Sequence, residues 1–434
     1  MIASYKIGVI GLWHLGEIYS AGLAELGHSV IGIDEDEEVI RNLENSIPPL
    51  AEPQLAELLR SNRSAGRLLY SSNFSKIKEC NVVWVTFDTP VNDDDEVQLD
   101  VIFKSLEQII AYLQDGVLFV VSSQIPIGTS KKVVAMIKEK CPEITFYYAY
   151  SPENLRLGEA VKCFMDPGRI VIGTEDDEAL TKMKEIFSPL HVEIVVMNPA
   201  SAEMTKHALN AFLATSISFT NDIADLCELY GADVEEVIRA LKSDPRIGPK
   251  AYLFAGLGFS GGTLGRDLKA MMIAGKARDI KLPVIEGVFL KNKSRKTIVE
   301  QKLTKEFGDI KGRTLALFGV TYKAGTSTLR RSQPLEIEKL LREAGAILKL
   351  YDSFAKIDEV AAITPSSFSD DPYEAVKDAE AILIMTPSKD FLNLDFPRLR
   401  TAMAGSLLFD TCNILWDKRD EIRSAGFKYI CVGQ

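Results

Sequence analysis

Two glycines and a carboxylate set the first chemical expectation. The run Gly11-Leu-Trp-His-Leu-Gly16 follows a β-rich apolar stretch, and Asp34 closes the next one, Ser29–Ile33. In a dinucleotide-binding fold the first glycine makes the tight turn and the third lets the helix pack on the strand. The second lets the backbone approach a pyrophosphate at the helix N-terminus. Here Trp13 occupies that second position, so its indole must turn away or block the site. A carboxylate at Asp34 binds a ribose 2′-hydroxyl and repels a 2′-phosphate, which favours NAD over NADP. The alternative is a doubly wound domain that binds nothing in this crevice. Further along, Lys206 and Asn210 stand four apart in a helical pattern and so share one helix face.

Three segments carry a resemblance: Ser151-Pro-Glu-Asn-Leu-Arg-Leu-Gly158, Lys206-His-Ala-Leu-Asn210 and Gly258-Phe-Ser-Gly-Gly-Thr-Leu-Gly-Arg-Asp267. Further matches include Glu52-Pro53, Thr89-Pro90, Pro126-Ile-Gly-Thr129, Arg246-Ile-Gly248, Phe318-Gly-Val-Thr-Tyr-Lys323 and Asp410-Thr-Cys-Asn413, in order along the chain. Together they resemble the UDP-glucose/GDP-mannose dehydrogenase family, NAD-dependent oxidases of nucleotide sugars. Members oxidise the sugar C6 alcohol to an acid in two hydride transfers. Between them a cysteine captures the aldehyde, because an aldehyde carbon has no oxygen substituent able to expel a second hydride until a nucleophile adds.

The resemblance implies roles residue by residue. Lys206 and Asn210 hold and polarise the oxygen on the reacting carbon. Asp267 orients a water or relays the alcohol proton, or else caps a helix beginning near residue 268. Glu153 matches the carboxylate of thioester hydrolysis. Thr263 stands where the family has its cysteine, and a threonine hydroxyl is almost wholly protonated at neutral pH. Leu157 replaces a second glutamate, Ser260 a glycine, Gly265 a proline, Arg266 a lysine, and Arg331 a glutamate. Cys163 lies in a different segment, and a lone cysteine is expected to be buried and inert. The implied cofactor residues are Gly11, Trp13, Leu15, Gly16, Asp34, Thr89, Gln124, Arg266 and Arg330. Those implied for the sugar nucleotide are Glu153, Asn154, Leu155, Lys206, Asn210, Arg246, Tyr252, Gly258 and Lys323. Surface salt bridging is the plainer reading of Arg246, Lys323 and Arg330.

These residues need a frame. Short apolar runs at 5–11, 29–33, 82–86, 117–122 and 145–149 alternate with helical patterns such as 101–113 and 131–140, which predicts a parallel sheet covered on both faces. Residues 201–230 contain no proline or glycine and predict one long helix, with further helices at 234–241 and 268–277. The Gly/Pro-rich stretch 244–265 reads as a loop, and the basic run 291–296 as a solvated helix end. Strand patterns return at 314–319, 346–351, 381–385 and 407–410. The expected fold is α/β: two doubly wound Rossmann-like domains, 1–198 and 306–434, joined by a long central helix and a helical middle, 199–305. The echo between VIGLWHLG and LFGVTYKAG fits an internal duplication and convergent turn chemistry equally well.

Composition narrows the classes. The 434 residues are 46% hydrophobic and 26% charged, as in ordinary globular proteins. A net charge of −11 disfavours nucleic acid as a partner. Six cysteines without Cys-x-x-Cys spacing and four dispersed histidines suggest neither a metal site nor a disulfide framework. No apolar run approaches ~18 residues, so no membrane span is expected. A first strand near residue 5 leaves no room for a signal peptide, and a cytoplasmic homodimer is expected. The sequence therefore predicts NAD-dependent oxidation of a nucleotide sugar, UDP-linked, that stops after one hydride transfer. Its alternatives are full oxidation through the hydrate with Glu153 as base, and a catalytically silent homologue that binds sugar nucleotide.

Overall fold

The computed structural model describes residues 4–87, 89 and 98–434. The chain forms two compact units, Met1–Ala208 and Leu209–Gln434. In the first, eight strands are ordered β3-β2-β1-β4-β5-β6-β7-β8. They are β1 Lys6–Ile10, β2 Ser29–Ile33, β3 Leu68–Ser71, β4 Val82–Val85, β5 Val117–Val121, β6 Phe146–Tyr150, β7 Ile170–Gly173 and β8 Ile194–Met197. The central strands β4 (VVWV) and β5 (VLFVV) are buried along their whole length, as continuous apolar runs in a doubly covered sheet must be. Alternate residues of β4 feed two cores. Val82 and Trp84 join one, and Val83 and Val85 the other.

One pairing departs from the expected all-parallel sheet: β6 meets β7 antiparallel, at Tyr150 and Gly173. The connection between them holds only the six-residue helix Ala160–Met165, ~9 Å long. A helix of that length does not span a strand of ~16 Å, so the connection lacks the full crossover helix that usually returns a chain for parallel pairing. Strand β7 therefore starts from the end at which β6 stops, and β8 then pairs parallel to it.

The helix Pro199–Tyr230 has 32 residues, begins in the first unit and ends in the second. It starts two residues earlier than the apolar pattern predicts. Asn198 accepts a hydrogen bond from the Ser201 amide at 2.8 Å, and a proline is well tolerated at the first helical position. Gly231, at φ +68°, stops it. No helix among the described residues is long and apolar enough to cross a membrane.

The second unit carries a six-stranded parallel sheet, β11-β10-β9-β12-β13-β14. Its strands are β9 Thr314–Phe318, β10 Ile347–Tyr351, β11 Ser367–Ser369, β12 Ala381–Ile384, β13 Leu407–Asp410 and β14 Lys428–Cys431. Before them come the helices Val234–Ser243, Arg266–Lys276, Pro283–Ser294 and Ile298–Phe307. Two sequence expectations fail here. The stretch 244–265 is not all loop, because Gly261–Gly265 closes a π-helical turn that runs straight into the helix at Arg266. The basic run is not simply a solvated helix end either. Arg295 is 1% exposed and donates to the Gly256 carbonyl at 2.8 and 3.0 Å and to Asp225 at 2.6 Å. Lys291 reaches Asp222 and Asp225. The carboxylates of the long helix supply the partners that make burial affordable.

Replacing Arg295 by methionine keeps the apolar stem but leaves the Gly256 carbonyl without its donor and Asp225 with Lys291 alone. Arg295→Met is expected to destabilise the second unit by about 3 kcal/mol, read as a lower urea midpoint by circular dichroism.

Candidate active site

The glycine turn has the geometry that its residues foretell. Gly11 adopts φ +87° and donates to the Ile33 carbonyl at 3.0 Å. A β-carbon on Gly16 would lie 1.8 Å from the Gly11 carbonyl oxygen, so only glycine lets the helix His14–Glu25 approach the turn. Trp13 caps this helix with no side-chain hydrogen bond, leaving the first-turn N–H groups without an intrahelical or side-chain acceptor. Its indole turns outward, 47% exposed. Leu15 is buried and can offer a ligand only its backbone. Asp34 stands at the end of β2, where Oδ2 accepts from the Leu12 amide at 2.6 Å and Oδ1 from Asp36 at 3.1 Å. The turn, the uncapped helix start and the acid at the strand end fit the pyrophosphate and ribose of NAD.

The start of the long helix gathers the loops that follow β5 and β6. Glu203, fully buried, accepts from the amides of Gly128 (2.5 Å) and Ser130 (2.7 Å) at the start of the helix Thr129–Lys140. His207 bonds the Ile125 carbonyl at 3.0 Å. Between them Lys206, its side chain 7% exposed, donates to the Glu153 carbonyl at 2.7 Å and to its carboxylate at 2.9 Å. The other Glu153 oxygen accepts from the Leu155 amide at 2.7 Å. Breaking a buried pair of this kind typically costs about 3–5 kcal/mol. On the β5 side Thr89 donates to the Gln124 carbonyl at 2.5 Å. Pro90, noted with Thr89 in the sequence, lies outside the described residues.

Within the second unit, Asn210 donates its amide N–H to the Asp267 carboxylate, and both residues are buried. Asp267 sits in the first turn of the helix Arg266–Lys276, whose cap is Gly265, so it does not cap that helix. The chain leading to it is clamped by side chains. Gly256 N–H donates to Asn221, and Gln333 donates to the Leu257 carbonyl. Asn292 both accepts from and donates to the Phe259 backbone, at 2.8 Å each. Gly258 is at φ +93°, and a β-carbon there would meet Asn292 Oδ1 at 2.3 Å. The Ser260 hydroxyl donates to the Arg331 carbonyl at 2.7 Å, and Arg331 holds φ +58°. Thr263, half-buried, lies on the π-helical turn that follows, with Arg266 half-buried just beyond it.

The remaining positions are more open. Arg246 forks onto Asp244 at 2.7 and 3.0 Å and is otherwise exposed. Tyr252 packs edge-on to Phe254 at 4.8 Å, both well exposed. Lys323 and Arg330 lie on the surface.

Burial pushes the Cys80 thiol up to about 11, Cys431 up to about 12 and Cys412 well above the ordinary value. Cys227 is packed in the core of the second unit. Cys163 corrects the expectation of a buried thiol. It is half-buried and lines a small cleft with Asn154, Leu155 and Arg169, because the short helix that carries it turns this side outward. Sequence reasoning assigned no role to Glu203, Asn221, Asn292, Arg295 or Gln333. Only Glu203, one turn before Lys206 on the predicted face, carried a local signal.

Comparison with known proteins fixes the family. Residues 5–191 match the UDP-glucose/GDP-mannose dehydrogenase family, NAD binding domain; 200–294 its central domain; and 316–417 its UDP binding domain. The chain is 34% identical over 437 residues to the UDP-glucose 6-dehydrogenase of Rhizobium meliloti, covering 99% of each. It is 33% identical to UDP-glucose 6-dehydrogenase TuaD of Bacillus subtilis, covering 99% of this chain and 93% of that one. Among solved structures, a UDP-glucose dehydrogenase from Pyrobaculum islandicum matches with a TM-score of 0.91 at 28% identity, over 100% of this chain and 98% of that one. With an NAD-binding, a central and a UDP-binding domain in that order, the chain belongs to the UDP-glucose/GDP-mannose dehydrogenase family.

Proposed function

We propose that this protein oxidises a UDP-linked hexose by one two-electron step, to an aldehyde or ketone, with NAD as acceptor. The observation that carries the reading is the pairing of Lys206 with Glu153 and of Asn210 with Asp267, one turn apart on a single helix, while a hydroxyl, Thr263, occupies the turn before Asp267. The names of the relatives support the UDP-hexose class.

When bound, NAD supplies the hydride acceptor. The chain's own groups do the rest. The Lys206 ammonium and the Asn210 amide N–H groups stabilise negative charge growing on the substrate oxygen. Glu153 orients Lys206, and Asp267 orients Asn210 and takes or relays the hydroxyl proton. The alcohol thereby loses one hydride and one proton. A second oxidation needs a nucleophile on the carbonyl carbon, and Thr263 offers only a protonated hydroxyl. Oxidation through the hydrate would need a free base, yet both Glu153 oxygens already accept hydrogen bonds. The outward turn of Trp13 leaves the helix start open, which weighs against a silent homologue.

Incubation with a panel of UDP-, GDP- and TDP-sugars plus NAD is expected to give one NADH per sugar consumed, by absorbance, together with a trappable carbonyl. Two equivalents with uronate overturn the single-step reading. Calorimetric binding of sugar nucleotide without NAD would instead make the chain a silent homologue.

The same reading includes a homodimer. Phe212, Phe219 and Leu226 recur every seven residues on the long helix at 67%, 48% and 51% exposure, forming one apolar row. Light scattering is expected to give twice the 48.0 kDa chain mass, and Phe219→Lys close to the single-chain mass. A monomeric parent protein would refute the pairing.

A further inference from the structure

Glu52 has no place in the mechanism above, yet its side chain is completely buried. It follows the helix Glu37–Glu44 and accepts three hydrogen bonds. One comes from His14 Nε2 at 2.8 Å, in the first turn of the helix that opens at the glycine turn. The others come from the amides of Gly158 at 2.8 Å and Ala160 at 3.1 Å, where the Glu153 loop ends and the helix Ala160–Met165 begins. A carboxylate buried this deeply is stable only with its partners in place. Moving any one of the three breaks a hydrogen bond to a carboxylate whose side chain is itself shielded from solvent.

We infer that the His14–Glu52 pair is a positioning device that couples the cofactor turn to the loop bearing Glu153. The inference rests on the proposed NAD reading. His14 adjoins Trp13, the residue that replaces the second glycine, and its imidazole is drawn back towards Glu52, 18% exposed. That leaves the backbone of residues 12–15 as the surface facing a bound pyrophosphate. A ligand that stiffens this backbone stiffens His14, and through Glu52 it stiffens the Gly158 and Ala160 amides. The effect is on the order in which the site assembles: Glu153, and with it Lys206, is held most firmly once the turn is filled.

The test compares the full-length protein with His14→Phe, which removes the donor, and with His14→Gln, whose amide can still donate to Glu52. Calorimetry with NAD alone reads affinity, and amide hydrogen exchange reads residues 154–162 with and without saturating NAD. In the parent, NAD is expected to slow exchange at Gly158 and Ala160 about tenfold. His14→Phe is expected to lose that protection and to bind NAD about tenfold more weakly, and His14→Gln to keep both within about threefold. Far-UV circular dichroism showing both ligand-free variants fully folded at the assay temperature separates this from loss of folding. A melting temperature that falls in both variants alike, with protection unchanged, overturns the coupling. So does equal protection in His14→Phe, or no protection in a parent that binds NAD. A parent that binds no NAD fails the functional reading itself.

Discussion

An ammonium group taken out of water must meet fixed negative charge and carbonyl oxygen, or the fold that buries it is lost. Lys206 meets both on one residue, Glu153, and everything around the pair is arranged to keep them facing. Glu203 and His207, its helical neighbours, bind the β5 loop at Gly128, Ser130 and Ile125. The Leu155 amide holds the free oxygen of Glu153. The long helix is therefore more than a connector. Its first three turns present three polar side chains that tie down two strand-end loops, with a fourth, Asn210, just beyond, that binds the acid of the glycine segment. In the proposed reaction this rigidity is what allows a cation and an amide to be aimed at a developing alkoxide without reorganising.

The glycine segment solves a related problem by different means. Residues 256–260 form neither strand nor helix, so their backbone groups have no ladder to join. Buried Asn221, Arg295 and Gln333, with half-buried Asn292, take that place and satisfy the amides and carbonyls one by one. An irregular segment fixed by side chains can hold backbone geometry, such as Gly258 at φ +93°, that a strand or helix could not.

What the sequence discloses follows the range of each interaction. Periodicity and turn chemistry are local, so the central strands, the glycine turn with Asp34 and the long helix are legible to within two residues. Pairings that join distant segments are not. Arg295 meets a carbonyl 39 residues away and Glu203 an amide 75 away, and nothing near either residue marks the partner. The same blindness turned a buried arginine into a solvated one and a helical turn into a loop. The antiparallel step at β7 depends on how little helix a connection contains, which the apolar pattern alone does not weigh. The contacts of Lys206 with Glu153, and of Asn210 with Asp267, likewise join segments 53 and 57 residues apart.

The two sheets repeat one another at their first turns. Gly319, at φ +91°, donates to the Tyr351 carbonyl as Gly11 does to Ile33, and Asp352 receives the Val320 amide as Asp34 receives that of Leu12. The difference lies in what the acid has left to give. Asp352 is 5% exposed and accepts five hydrogen bonds, from Val320, the Thr321 amide and hydroxyl, Phe354 and Ala355. Asp34 is half-buried and accepts two, which leaves lone pairs for a ribose hydroxyl. One turn geometry thus leaves an acid with open acceptor positions in the first unit and makes an internal brace in the second. A glycine after a strand and an acid after the next strand satisfy the backbone of any such βαβ turn whether or not a nucleotide comes to it. Shared turn chemistry is therefore no measure of shared descent. What suits Asp34 to the proposed ribose contact is its unspent hydrogen-bonding capacity beside an uncapped helix.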